Sequence, residues 1–147
     1  MMEGKKKILI ITDNSAPIRN MAETIAAVMG NPPFADYSAV ILDAESFSAT
    51  DLLPVKVLLL GCEKPEAFSF LYIKDFFAHI SLAGRSCGIF SSDTKAIKYL
   101  STFVRDSDVT ICKPLMAKDG AIDSQELHNW VQCVIQQGEK NECVQSR

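Results

Sequence analysis

Thr12-Asp13-Asn14-Ser15-Ala16-Pro17 places two hydroxyls, a carboxylate and an amide in the short gap between an apolar run and an apolar helical stripe. At a strand-to-helix junction such residues do one kind of chemistry readily. The polar side chains offer the N-cap, and the N–H groups of the helix start make a ready anion site. Two further polar stretches, Cys62-Glu63-Lys64-Pro65-Glu66-Ala67 and Ser91-Ser92-Asp93-Thr94-Lys95, each follow an apolar run in the same way. Cys62 is the cysteine placed to act as a thiolate, at the end of a central strand. Glu63 and Lys64 beside it pull its pKa in opposite directions and no histidine is near, so a structural thiol is favoured. Lys113 is either a cation at the same rim or a plain lysine before Pro114, and Trp130 belongs to helix packing. His79 and His128 fall on helices away from these stretches, so a histidine-based dyad has little support.

The elements that must position these loops follow from the periodicities. Ile8 to Ile11 is an unbroken apolar run, the mark of a strand buried on both faces. Ile18, Met21, Ala22, Ile25, Ala26 and Met29 form one helical stripe, with Pro17 in the first turn, where no backbone donor is needed. Further strands are expected at Tyr37 to Asp43, Val55 to Gly61, Ser86 to Ser91 and Val109 to Leu115. Helices are expected from Phe68 to Ile80, after Ser91-Ser92-Asp93, and from the capping box of Asp123 and Glu126, with a short helical turn at Ser48 or Thr50. Strands alternating with helices imply right-handed crossovers and an α/β three-layer sandwich around a parallel sheet. Ligands of such sheets sit outside the carboxyl ends of the strands, where the three polar loops meet.

At 147 residues the chain is expected to be one domain over 1–147, with flexible termini at 1–6 and 138–147. Apolar residues at 48% and charged residues at 22% exclude a disordered chain, and no run is long enough to span a membrane. A net charge of −3 gives no basic footprint for nucleic acid. Five cysteines without a CxxC pair argue against a disulfide framework or a zinc site and fit a reducing, cytoplasmic setting.

With the loops placed, the stretch from Lys6 to Gln137 resembles the flavodoxin family. Ala22 to Ala26 is similar to the first helix of short-chain flavodoxins, and Ser46 to Leu53 leading into Val57 to Cys62 is similar to their second connection and third strand. Phe76-Phe77, Leu82 to Arg85 and Gly88 to Phe90 resemble the "FF…L-x-G-K…G-x-F" passage, and Ser124 to Val131 the last helix. The resemblance implies a five-stranded sheet in the order 2-1-3-4-5. It implies FMN as cofactor and single-electron transfer to a redox partner protein, with the flavin doing the chemistry. The sites it implies are Thr12, Asp13, Asn14, Ser15, Ala16 and Ile18 for the phosphate, and Glu63, Lys64, Ser91, Ser92 and Asp93 around the flavin ring.

The departures fall on those same residues. Registered on the family's S/T-x-T-G-x-T motif, Asp13 to Ile18 keeps only the Ser15 hydroxyl, sets a carboxylate near a dianion, replaces a glycine by Ala16 and loses an N–H at Pro17. The second and third loops carry no aromatic ring to stack on a flavin, and the spacing of Phe68 and Phe70 suits helix core.

A weaker likeness is to response-regulator receiver domains. Thr12 to Arg19 resembles their "V-D-D-S-A-x-M-R" opening, Ser91 their switch residue and Lys113-Pro114 their Lys-Pro. Their phosphoacceptor aspartate is missing, since Gly61-Cys62 stands there, and Asp43 would lie on the sheet edge. The sequence reading is an FMN-binding electron carrier, with a cofactor-free flavodoxin-like or pseudo-receiver module acting through protein contacts as the alternative. No residue set supports independent enzymatic turnover.

Overall fold

The computed structural model describes residues 6–52, 55–65, 70–81, 84–105, 110–117 and 121–145. Residues 1–5 of the expected flexible start, Ala67, Phe68, the Leu82-Ala83 pair and Val109 lie outside the described residues. In chain order the elements are β1 Lys6–Thr12, α1 Ala16–Ala27, β2 Tyr37–Asp43, a 3₁₀ turn Ala44–Ser46, α2 Ala49–Leu52, β3 Val57–Gly61, α3 Leu71–Phe77, β4 Ser86–Ser91, α4 Thr94–Arg105, β5 Thr110–Ile111, β6 Leu115–Met116 and α5 Ser124–Gln145.

All the strand pairings are parallel and the order is β2-β1-β3-β4-β5, with β6 also on β4. β1 lies between β2 and β3, matching Ile10 to Ile41 on one side and to Leu59 on the other. Alternation then divides the core. Ile8, Ile10, Leu59 and Phe90 face α1 and α5, where Ile18, Ile25, Trp130 and Val134 meet them. Leu9, Ile11, Leu58, Leu60 and Ile89 face the other way, onto Ile73 and Phe77 of α3 and Leu100 of α4. Each of these fully buried aliphatic side chains contributes about 1.5–3 kcal/mol of transfer free energy. That is why the apolar runs of β1 and β3 are unbroken: neither face is left to water.

The expected fifth strand, Val109 to Leu115, is divided. Thr110 and Ile111 pair with Ser86 and Cys87, whereas Leu115 and Met116 pair with Phe90 and Ser91. Between the two pairs β4 advances three residues and its partner four, so one extra residue is absorbed at Cys112-Lys113-Pro114. Pro114 has no N–H to give to the ladder, which makes this the place where pairing lapses. α3 is shorter than the expected Phe68 to Ile80, with Ala78 already in its C-cap. α5 runs on to Gln145, through the polar stretch taken from composition as a tail. No helix among the described residues is long and apolar enough to cross a membrane.

Gly88, in the middle of β4, lets α5 approach the sheet closely. A Cβ there would lie 2.6 Å from the Trp130 ring, 2.9 Å from Leu59 and 3.0 Å from Val134. Gly88→Ala is expected to lower stability by about 1–3 kcal/mol through overpacking, measured as the shift of the urea unfolding midpoint at constant slope.

Candidate functional site

The loop after β1 begins at Thr12, which is buried and whose Oγ1 accepts a hydrogen bond from the Asn14 N–H at 3.2 Å. Asn14 takes the left-handed conformation, φ 66°, which asparagine tolerates better than most residues and which turns the chain toward α1. Ser15 is the N-cap of α1, but its hydroxyl makes no cap. It donates instead to Asp13 Oδ1 at 2.7 Å, and the Ser15 N–H donates to the same oxygen at 3.1 Å. The other carboxylate oxygen, Asp13 Oδ2, accepts the N–H of Glu63 at 2.8 Å, joining the first loop to the second across 50 positions of sequence.

The second tie comes from the opposite side. Ser91, fully buried at the end of β4, donates its hydroxyl to the Cys62 carbonyl at 2.7 Å. The Cys62 carbonyl and the Glu63 N–H belong to one peptide group. That group is thus gripped on its N–H by a side chain from the end of β1 and on its C=O by one from the end of β4. Just where β3 leaves the sheet, Asp13 and Ser91 supply with side chains the hydrogen bonds that backbone strands supply within it. Ser91 Oγ also accepts the Asp93 N–H at 3.1 Å, and Asp93 Oδ1 accepts the Lys95 N–H at 3.1 Å to cap α4.

The loops named from sequence therefore do converge on the carboxyl rim, although their residues take unequal parts. Asp13, Ser15, Glu63 and Ser91 form the linked centre, with Thr12 and Asp93 bracing it. Asn14, Ala16, Lys64 and Ser92 are exposed around it. The Ile18 side chain is fully buried in the core with α1's other apolar residues and does not face the rim. Lys113 is exposed at the break between β5 and β6, with β3 and β4 lying between it and β1. A carboxylate in place of Gly61 would collide with the Phe90 ring, so the missing phosphoacceptor has a steric reason. Asp43, at the end of edge strand β2, caps the 3₁₀ turn by accepting the Glu45 N–H at 3.0 Å.

The surroundings of Cys62 agree with the structural thiol favoured from sequence. Its thiol is fully buried, donates to the Lys64 carbonyl at 3.3 Å, and is pushed up to about 12 first by burial and then by the charges of Asp13 and Asp93. It is a structural thiol; among the described cysteines Cys133 is exposed. Among the described residues no cluster of histidine, cysteine or acidic side chains is arranged to hold a metal ion.

No family model and no curated protein matches the chain. Solved structures do. The flavodoxin of Streptococcus pneumonia TIGR4 superposes with a TM-score of 0.67 at 12% identity, over 86% of this chain and 92% of that one. The fold is flavodoxin-like. A short-chain flavodoxin associated with a non-canonical PDU bacterial microcompartment gives 0.67 at 11% identity, over 92% and 99% of the two chains. Flavodoxin 2 from Bacillus cereus gives 0.64 at 19%, over 91% and 99%. The flavodoxin-like order 2-1-3-4-5 holds for β1 to β5, and the described residues of the three loops lie at its carboxyl rim.

Asp13→Asn would set an NH₂ group against at least one of the three donors now served by the carboxylate. The expected cost is about 1–3 kcal/mol in urea unfolding, together with faster hydrogen exchange at the Glu63 amide. A second expectation concerns alkaline pH. The Cys62 thiol holds its proton more tightly in the folded chain, near 12, than its ordinary value of 9.0. Its contribution is therefore intact below about pH 9 and is lost as pH rises toward 12. Cys62→Ala should show a shallower alkaline decline of unfolding free energy than the parent chain.

Proposed function

We propose that this chain is a flavodoxin-fold module that works without FMN, through contacts with a partner protein at the carboxyl rim of its sheet. The observation that carries the reading is the Asp13 carboxylate. A flavin phosphate arrives as a dianion and needs N–H and hydroxyl donors. Here the Ser15 N–H, the Ser15 hydroxyl and the Glu63 N–H already donate to Asp13, whose own charge repels a dianion. Pro17 offers no donor, and Ala16 denies the loop the freedom of a glycine. The residues present do not fit the phosphate end of the cofactor.

The rim carries apolar surface of another kind. Leu71 and Tyr72, each 49% exposed, open α3 after the second loop. Tyr72 is stacked on Phe76 at 6.2 Å and tilted against Phe47 at 6.4 Å, so its ring is already held from within the protein. A pre-ordered aromatic flanked by an exposed leucine is the type of surface that protein interfaces use.

The second reading, an FMN-dependent electron carrier with a redox partner, is favoured by the likeness to flavodoxin structures. The visible spectrum of the purified protein and a titration with FMN followed by flavin fluorescence separate the two. The expected result is a colourless protein that leaves FMN fluorescence unchanged at protein concentrations on the order of 100 μM. Oxidised-flavin absorption bands, or quenching with a micromolar or tighter Kd, would overturn the cofactor-free reading in favour of the carrier.

A further inference from the structure

Cys112 and Cys133, 21 positions apart, come together on the side of the molecule away from the Asp13 loop. Cys112 follows β5 in the break before Pro114, and its N–H donates to the Cys87 carbonyl at 3.2 Å. Cys133 lies on α5, and its Sγ–H donates to Cys112 Sγ at 3.3 Å. Cys112 is buried, whereas Cys133 is exposed and lines an open cavity of about 510 Å³ with Lys113, Pro114, Met116 and Trp130.

We propose that Cys112 and Cys133 are a reversible dithiol–disulfide pair, in which Cys133 attacks a small disulfide of the glutathione type and Cys112 resolves the product.

The geometry separates the two roles. The attacking sulfur must be reached by the oxidant, and Cys133 alone of the pair faces solvent. Cys112 is shielded from outside disulfides but touches Cys133, so the sulfur within its reach is Cys133 Sγ itself. Burial, and then the Cys133 thiol, push the Cys112 thiol up; once Cys133 carries a mixed disulfide its thiol no longer opposes ionisation of Cys112, and burial alone does. Closing 3.3 Å to a bond of about 2.05 Å takes a small approach, and Cys112 stands at the start of the irregular segment between β5 and β6, held to β4 by its backbone N–H.

The step balances as an exchange. The Cys133 thiolate bonds to one sulfur of the small disulfide, whose S–S bond breaks and whose other half leaves as a thiolate. Cys112 then gives up its proton and its sulfur bonds to Cys133 Sγ, displacing the second half as a thiolate. Two electrons pass from the protein dithiol to the small disulfide, which ends as two thiols. Excess thiol reverses both steps. The product would tie the β5–β6 break to α5 beside Trp130, the chain's one tryptophan.

The test incubates the full folded chain with excess oxidised glutathione, quenches with acid, unfolds, alkylates and maps the peptides by mass spectrometry. The expected product lacks two of the five thiols, is lighter by two hydrogens, and contains one peptide linking Cys112 to Cys133. Trp130 fluorescence should change at the same rate, and dithiothreitol should restore both signals. Cys133→Ser, a change at an exposed position, should keep its remaining thiols, and Cys112→Ser should stop as a mixed disulfide on Cys133. Five free thiols, a parent chain that stops at the mixed disulfide, or a link between any other cysteines would overturn the proposal.

Discussion

One peptide group, Cys62-Glu63, sets the character of the rim. Where β3 leaves the sheet its N–H and C=O would face outward on either side, and both are engaged by neighbouring chain ends, Asp13 from β1 and Ser91 from β4. The arrangement requires the parallel order β1-β3-β4, because only a strand with neighbours on both sides can be held from both sides at once. It also requires Asp13 to be an acceptor on two oxygens, one for its own loop and one for the next. A hydroxyl at position 13 could not do both. The residue that weakens an anion site is thus the one that completes the sheet's hydrogen bonding.

Much of the scaffold was legible because it rests on period. The apolar runs of β1 and β3, the stripe of α1 and the Asp123 cap of α5 are local patterns, and the last is present as the Glu126 N–H donating to Asp123 Oδ2 at 2.9 Å. Sheet order was not in the periodicity and came from the likeness of motifs. The divided fifth strand turns on Pro114, whose missing donor is plain in the sequence. The extra residue beside it is not, since register appears only against β4.

The site was legible as three loops and much less so as a set of roles. Asp13 was placed beside an incoming phosphate, whereas its partner is the amide of Glu63, a contact that no local pattern encodes. Ile18 was assigned to the site by motif register even though its spacing with Met21 and Ile25 marks the core stripe, and the stripe prevailed. For the cysteines, the mixed charges beside Cys62 and the lack of a nearby histidine favour a structural thiol from sequence alone. Cys62 is fully buried and Cys133 exposed, and both depend on tertiary packing that the sequence does not print.

The substitutions in the three loops share one physical direction. A ligand that orders a rim adds stability only while it is bound. Here the order is supplied from within, by Asp13 and Ser91 on the peptide after β3 and by Asp93 at the start of α4. Ala16, Pro17 and Pro65 reduce the freedom of the unfolded loops, which favours the folded form when the native angles suit them. Each change that makes the rim poorer at wrapping a small anion makes it a more fixed surface. On the proposed reading this matters, because a protein that docks on a fixed surface loses less conformational entropy there and the cost of association falls.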